Sequence, residues 1–86
     1  MAGTIKYANG FLLTARSFVD TQLSGRIIAT KAALANDWPD LPAEEDEVFI
    51  LPPVGRAHAR RVRGTALQIV YNLTDTGVFL IAIVPV

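Results

Sequence analysis

Four arginines lie within eight consecutive positions in the second half of the chain: Arg56, Arg60, Arg61 and Arg63. Each guanidinium is a permanent cation whose fork of N–H donors matches the oxygens of a phosphate or a carboxylate. Guanidiniums at this density form a positive field suited to an anionic ligand. The residue types and their spacing therefore predict that all four arginines bind an anionic target.

An acidic segment just upstream offers the arginines a second partner. Residues 36–50 contain six acidic side chains and no basic one, whereas residues 1–35 and 51–86 each contain four basic side chains and one acidic. The net charge of zero therefore says little about any one face. The arginines either bind a target or pair with the carboxylates of residues 44–47. An acidic loop that covers the arginines until a target displaces it would combine both alternatives.

His58 is the single histidine of the chain and lies among the arginines. Neighbouring positive charge favours the neutral form of an imidazole, so His58 is a candidate general base near neutral pH. A lone histidine is, however, more often an ordinary strand residue. No ligand set at metal-binding spacing accompanies it, and phosphate-binding glycine loops and nucleophilic triads are missing from the sequence, so we expect neither a metal nor a cofactor.

Length and composition narrow the class of protein. A chain of 86 residues is expected to form one domain, residues 1–86. Its hydrophobic content of 51% exceeds what a small core hides, so we expect an oligomer or a complex. The lack of cysteine and of a signal-peptide pattern predicts a cytoplasmic protein. The longest apolar run, residues 78–86, is too short to span a membrane, and no membrane association is expected.

Hydrophobic periodicity predicts the element order β-α-α-β-β-β. Predicted helices occupy residues 11–23 and 24–38, and predicted strands occupy residues 3–8, 58–63, 67–74 and 78–84. Ser24-Gly25 separates the helices, either as a full corner or as a kink, and Gly77 can adopt the positive φ predicted for the last hairpin. The prediction is an α+β fold in which two N-terminal helices pack on one face of an antiparallel sheet.

The arginine-bearing segment and the strand after it carry a known pattern. Arg61-Val62-Arg63-Gly64 precedes Leu67-Gln68-Ile69-Val70-Tyr71, and a hairpin follows to the end. In this pattern the chain resembles the RelE/ParE toxin superfamily of toxin–antitoxin systems. That family has an arginine–hydrophobic–arginine strand, a glycine turn, a strand with a basic residue three positions before a tyrosine, and a last apolar strand. The strand and helical hairpin that close at Trp38-Pro39 resemble the family as well.

The resemblance implies a toxin that either cuts ribosome-bound mRNA or inhibits DNA gyrase, and that a cognate antitoxin protein neutralises. It implies catalytic roles for Arg61, Arg63 and Tyr71, to which His58 is added as the candidate base. RNA cleavage needs a base, an acid and cations that hold the phosphorane charge. Gln68 stands where the family has an arginine, and Pro85-Val86 replaces a basic tail. The expected nuclease is therefore one with a degraded active site.

A second class of function stays open beside the toxin. The last predicted strand is apolar on both faces, which is typical of a central strand or of one that a partner covers. The alternative is a non-catalytic interaction module or small subunit that forms homo- or hetero-oligomers through this C-terminal strand.

Overall fold

Over the residues that the structure describes, the chain forms one strand and two helices followed by four strands. The computed structural model describes residues 2–18, 21–53 and 55–86. The elements are β1 (Thr4–Tyr7), α1 (Asn9–Ala15) with a 3₁₀ turn (Arg16–Phe18), α2 (Leu23–Asp37), β2 (Glu47–Leu51), β3 (Gly55–Arg61), β4 (Leu67–Leu73) and β5 (Gly77–Pro85). The predicted α+β fold, with both helices on one face of the sheet, is confirmed. β2 is a strand that the prediction did not include, because its apolar run is too short for periodicity to identify.

The five strands form one sheet in the order β1-β5-β4-β3-β2. The four strands from β2 to β5 form an antiparallel meander. β1 adds to the far side of β5 in parallel, so the sheet as a whole is mixed. The C-terminal strand β5 is therefore an inner strand, and the two sheet edges belong to β1 and β2.

Gly77 allows β1 to approach β5. Thr4 pairs with Gly77 in the register of the two strands, and a Cβ atom at position 77 would overlap the backbone of Thr4. The predicted positive φ at Gly77 is wrong: the described glycines with positive φ are Gly55, at 95°, and Gly64, at 74°. Position 77 needs glycine because two backbones meet there, which the sequence of a single hairpin does not show.

The break between the helices lies before Ser24-Gly25, which are part of α2. α1 is shorter than predicted and passes into the 3₁₀ turn after Ala15; residues 19 and 20 of the predicted helix lie outside the described residues. Thr21 holds the start of α2, since its Oγ1 accepts a hydrogen bond from the amide of Leu23 at 3.2 Å and donates one to the carbonyl of Phe18 at 2.8 Å. Thr21 thus forms a side-chain turn just before α2, whereas the N-cap is Gln22, which makes no side-chain capping hydrogen bond; the capping role predicted for Ser24 is wrong.

The hydrophobic core lies between the helices and the sheet face that they cover. α1 buries Phe11, and α2 buries Ile27 and Leu34. Their partners include the side chains of the strands and the residues next to them, namely Leu41, Val62, Ile69, Tyr71, Val78, Leu80 and Ile83. Within the described ranges, no helix has the length and apolar character needed to cross a membrane.

Candidate functional site

Arg60 is buried on the helix-covered face of the sheet, where two carboxylates hold its guanidinium. Its Nε donates to Oδ1 of Asp46 at 2.6 Å and its Nη2 to Oδ2 of Asp46 at 3.0 Å, while Nη1 donates to Oδ2 of Asp37 at 2.8 Å. Only 4% of Arg60 is exposed. The two-point contact with Asp46 is the arrangement in which a guanidinium binds a carboxylate most strongly.

Tyr71 and the backbone complete the same network. The hydroxyl of Tyr71, a fully buried residue, donates to Oδ2 of Asp46. The amide of Ala43 donates to that same oxygen at 3.0 Å. The side chain of Asp46 is fully buried as well, so its charge depends on these donors for stabilisation. We refer to the buried Asp46, Arg60 and Tyr71, together with Asp37, whose side chain is 45% exposed, as the Asp46 network.

Burial and hydrogen bonding act together on the pKa of each group in the network. Burial would raise the pKa of Asp46, but hydrogen bonds from Arg60, Tyr71 and the Ala43 amide hold that pKa below its usual range. Burial would lower the pKa of Arg60, but its hydrogen bonds to the two aspartates raise that pKa. Burial and the hydrogen bond to Asp46 both raise the pKa of Tyr71. Near neutral pH the network is thus an ion pair with a neutral phenol.

The network joins four parts of the fold. Asp37 is the last residue of α2, Asp46 precedes β2, Arg60 belongs to β3 and Tyr71 to β4. These contacts tie the acidic loop, residues 43–46, to both the helix layer and the sheet. Tyr71 and Arg60, two of the predicted target-binding or catalytic residues, are therefore enclosed in the core and have little or no surface to offer a target.

A cleft of about 430 Å³ lies between α2 and the end of β3. Its wall includes Arg61 and Arg63, which are exposed and make no ion pair with any described residue. Arg26 from α2 contributes a third guanidinium; this residue is also exposed and makes no ion pair with any described residue. The remaining lining residues are Ala29, Thr30, Ala33, Glu45 and Arg60. We call this feature the arginine cleft.

Arg26 has a defined place in the arginine cleft. Its Nη1 donates to the carbonyl oxygen of Arg63 at 3.0 Å. The guanidinium lies where a side chain at position 64 would project, because a Cβ on Gly64 would overlap Nη1 of Arg26. Glycine therefore suits position 64 for two reasons: the turn has a positive φ there, and the Arg26 guanidinium occupies the space that a side chain would fill. The sequence contains no local signal for this contact, since Arg26 and Arg63 are 37 residues apart.

The acidic loop contributes one carboxylate to the arginine cleft. Glu45 lines it, and also lines a neighbouring cavity of about 220 Å³ together with Glu47, Arg61 and other residues. In the described part of the chain, the arginine ion pairs are those of Arg60. The predicted pairing between the loop and the arginines therefore involves Asp46 with Arg60, while the cleft keeps an excess of positive charge.

Arg56 and His58 lie outside the arginine cleft. Arg56 is exposed and precedes Arg61 by five residues on β3, a separation of about 16 Å along a strand. His58 is half-buried opposite Tyr71, with 5.7 Å between the ring centroids. The predicted catalytic residues are thus divided: Arg61 and Arg63 line the cleft, whereas His58 and Tyr71 lie elsewhere on the sheet.

The chemistry of the arginine cleft is that of anion binding. Three guanidiniums without described ion-pair partners can each donate to phosphate or carboxylate oxygens. The hydroxyl of Thr30 is directed to the carbonyl of Arg26 at 2.9 Å, and neither a histidine nor a tyrosine lines the cleft. Among residues 2–18, 21–53 and 55–86, no group of three acidic, histidine or cysteine side chains is placed to hold a metal ion.

No protein-family model, curated protein or solved structure matches this chain.

Proposed function

We propose that this chain is the toxin component of a type II toxin–antitoxin pair, of the RelE/ParE kind, and that it inhibits growth in the cytoplasm by binding ribosome-bound mRNA or DNA gyrase. One observation carries the proposal: Arg26, Arg61 and Arg63 all line a single cleft, and none of them forms an ion pair with a described residue. The arginine–hydrophobic–arginine motif of the sequence supplies two of these three residues.

The size and charge of the arginine cleft fit an anionic target. A volume of about 430 Å³ is within the range of sites that enclose a small molecule or one unit of a polymer. Among the described lining residues, Glu45 is the single carboxylate, against four arginines of which one, Arg60, is neutralised by aspartates. The remaining positive charge attracts phosphates and also orients an approaching polyanion.

The arrangement favours action by binding over RNA cleavage. Cleavage requires an acid or a base within hydrogen-bond reach of the reacting oxygens. Tyr71 donates its hydroxyl hydrogen bond to the buried Asp46 instead, and His58 is not part of the cleft wall. Gln68, at the position of the family arginine, lines the smaller neighbouring cavity and supplies no positive charge.

The helix layer supports the proposed antitoxin partner. Phe11, Phe18, Ile27 and Ile28 line a groove between the first helical segment and α2, and Lys31 lies at its side. Ile28, which lines this groove, remains 61% exposed, and Leu13, which lies on α1 outside the groove, remains 63% exposed. Exposed apolar side chains on the helix layer offer a contact for the apolar face of a partner segment, and Lys31 favours acidic residues beside that face.

Inducible expression in a bacterium tests the proposal. We expect growth arrest from the parent and a large loss of arrest from Arg61→Ala/Arg63→Ala, with intact messages in the arrested cells. Arg16→Ala is the matched control, since Arg16 is exposed and outside the arginine cleft. Arrest with cut messages would contradict the binding mechanism, whereas no arrest from soluble, folded parent protein would contradict the toxin assignment. A DNA-damage response would identify gyrase as the target.

The non-catalytic interaction module is a second candidate. For this candidate the sheet topology favours an interaction surface on β2 over one on the C-terminal strand β5. β5 pairs with β4 on one side and, from Gly77 to Leu80, with β1 on the other, so this part of the C-terminal strand has no free edge for strand addition. The observation that favours an interaction role is instead the free edge of β2, which carries exposed apolar side chains.

A further inference from the structure

The edge strand β2 presents two large apolar side chains to solvent. Val48 is 56% exposed and Ile50 is 65% exposed. They are two residues apart, so their side chains project from the same face of the strand. β2 ends the sheet, and its outer side therefore carries backbone N–H and C=O groups that no neighbouring strand occupies.

Free sheet edges usually carry features that prevent pairing with another chain. Lysine, proline and bulges are the common ones. The opposite edge, β1, has Lys6 at its centre. β2 reads Glu-Val-Phe-Ile-Leu, without lysine, glycine or proline, and its pairing with β3 is regular. The β2 edge is thus open to pairing, in contrast to the β1 edge.

We infer that β2 pairs antiparallel with β2 of a second copy of this chain, around a two-fold axis at Phe49, so that the sheet continues from one copy into the next. A two-fold axis perpendicular to the sheet keeps the side chains of paired positions on the same face. With the axis at Phe49, Val48 of one copy lies opposite Ile50 of the other. This inference does not depend on the proposed toxin function.

The register at Phe49 is self-complementary in shape and charge. It forms two identical apolar pairs between Val48 and Ile50, and it places the two Phe49 residues opposite each other, both favourable cross-strand combinations. Glu47 of each copy lies opposite position 51 of the other, so the two glutamates are at opposite ends of the strand pair and not side by side. The axis at Phe49 also uses all five residues of β2.

Alternative two-fold registers are less favourable. An axis at Val48 brings Glu47 opposite Phe49 and draws the buried Asp46 towards the interface, although Asp46 is committed to Arg60. An axis at Ile50 brings Pro52 into the pairing, and proline has no N–H to donate. The apolar sequence and the boundaries of β2 therefore favour a two-fold axis at Phe49, the centre of the strand.

The strength of association follows from the size of the contact. Five residues from each copy make an interface smaller than the roughly 1,600 Å² typical of stable complexes. We therefore expect a reversible dimer that forms in the micromolar range or above. Sedimentation equilibrium of the parent protein up to hundreds of micromolar should show a monomer–dimer equilibrium.

Ile50→Lys tests the surface. At the proposed interface the lysine would be brought against Val48 of the second copy without a partner for its charge, and we expect the dissociation constant to rise by at least about tenfold. Leu13→Lys is the matched control, because Leu13 is 63% exposed on α1 and should leave association unchanged. A parent that stays monomeric at hundreds of micromolar, or equal loss in both variants, overturns the inference.

Cysteine cross-linking tests the register, since the chain contains no cysteine of its own. Paired positions in an antiparallel ladder are close enough for a disulfide. Val48→Cys mixed with Ile50→Cys should give the mixed disulfide in preference to either homodimer. Both native side chains are mainly exposed, so the monomer should fold normally. A dominant Val48→Cys homodimer, or cross-linking no faster than that of Leu13→Cys, contradicts the register at Phe49.

Discussion

The hydroxyl of Tyr71 donates a hydrogen bond to the same Asp46 oxygen that accepts from Nη2 of Arg60. One carboxylate thus holds both a tyrosine and an arginine that the sequence assigned to a functional surface. Because Asp46 belongs to the acidic loop, that loop stabilises the fold through one residue while Glu45 lies in the wall of the arginine cleft. Neighbouring acidic residues therefore have separate roles.

Asp46→Ala should destabilise the protein strongly. The substitution leaves Arg60 buried with Asp37 as its remaining acceptor and takes the acceptor from Tyr71, a loss of about 3 kcal/mol in the free energy of unfolding. Urea denaturation provides the measurement. Asp40→Ala is the control, since Asp40 is exposed and outside the network, and should change stability by less than about 0.5 kcal/mol. Equal effects of the two substitutions would show that the network contributes little to the free energy of unfolding.

Stability should fall in acid because of Asp46. Its pKa is lower in the folded protein than in the unfolded chain, so its contribution is present above about pH 4 and is lost as the pH falls through the lower, folded value. The Asp46→Asn variant has no ionisable group at this position. The difference in unfolding free energy between parent and Asp46→Asn should therefore shrink as the pH is lowered below about 4. A constant difference down to the acid unfolding transition would be the contrary result.

Tyr71→Phe separates a structural from a catalytic tyrosine. The raised pKa of Tyr71 gives stabilisation that is present below about pH 10 and is lost as the pH rises above it. The variant should lack this alkaline component in denaturant titrations at several pH values. Growth arrest by the variant should equal that of the parent where both are folded, because Tyr71 does not reach the arginine cleft. Abolished arrest with a folded variant would restore Tyr71 as a catalytic candidate.

Gly77→Ala should detach β1 from the sheet. The added methyl would overlap the Thr4 backbone, and we expect a loss of about 3 kcal/mol in thermal or denaturant unfolding. Gly25→Ala is the opposite control: a Cβ there meets no atom within 4 Å, and alanine favours the helix by up to about 1 kcal/mol. Similar melting temperatures for Gly77→Ala and the parent would contradict the close approach of β1 to β5.

Arg26→Ala should weaken target action although Arg26 lies outside the arginine motif. It removes one of three guanidiniums from the cleft and frees the carbonyl of Arg63. We expect reduced growth arrest, and a smaller effect from Arg26→Lys, which keeps the charge but not the fork of donors. Arg16→Ala is again the control. Full arrest by Arg26→Ala, at equal expression, would remove Arg26 from the proposed binding site.

The class of fold could be predicted from local patterns. Apolar spacing identified two helices followed by a meander, and those patterns depend on residues that are near each other in the chain. The parallel pairing of β1 with β5 could not be read in this way, because it joins residues such as Thr4 and Gly77 that are far apart. The sequence predicts Ser24 as the cap of α2 because its hydroxyl suits an N-cap, whereas the helix begins at Leu23 after Gln22, which makes no side-chain capping hydrogen bond.

By itself the sequence determined that the arginines at positions 61 and 63 flank one hydrophobic residue and precede a glycine turn; the strand predicted to contain both arginines ends at Arg61. Only the tertiary structure decided what each arginine does. Arg60 and Arg61 are chemically identical neighbours, but the strand directs their side chains to opposite sides, and Arg60 meets carboxylates from 14 and 23 residues away. Arg26 joins the cleft across 37 residues. Charge partners of this kind are set by packing between distant elements, which no local pattern encodes.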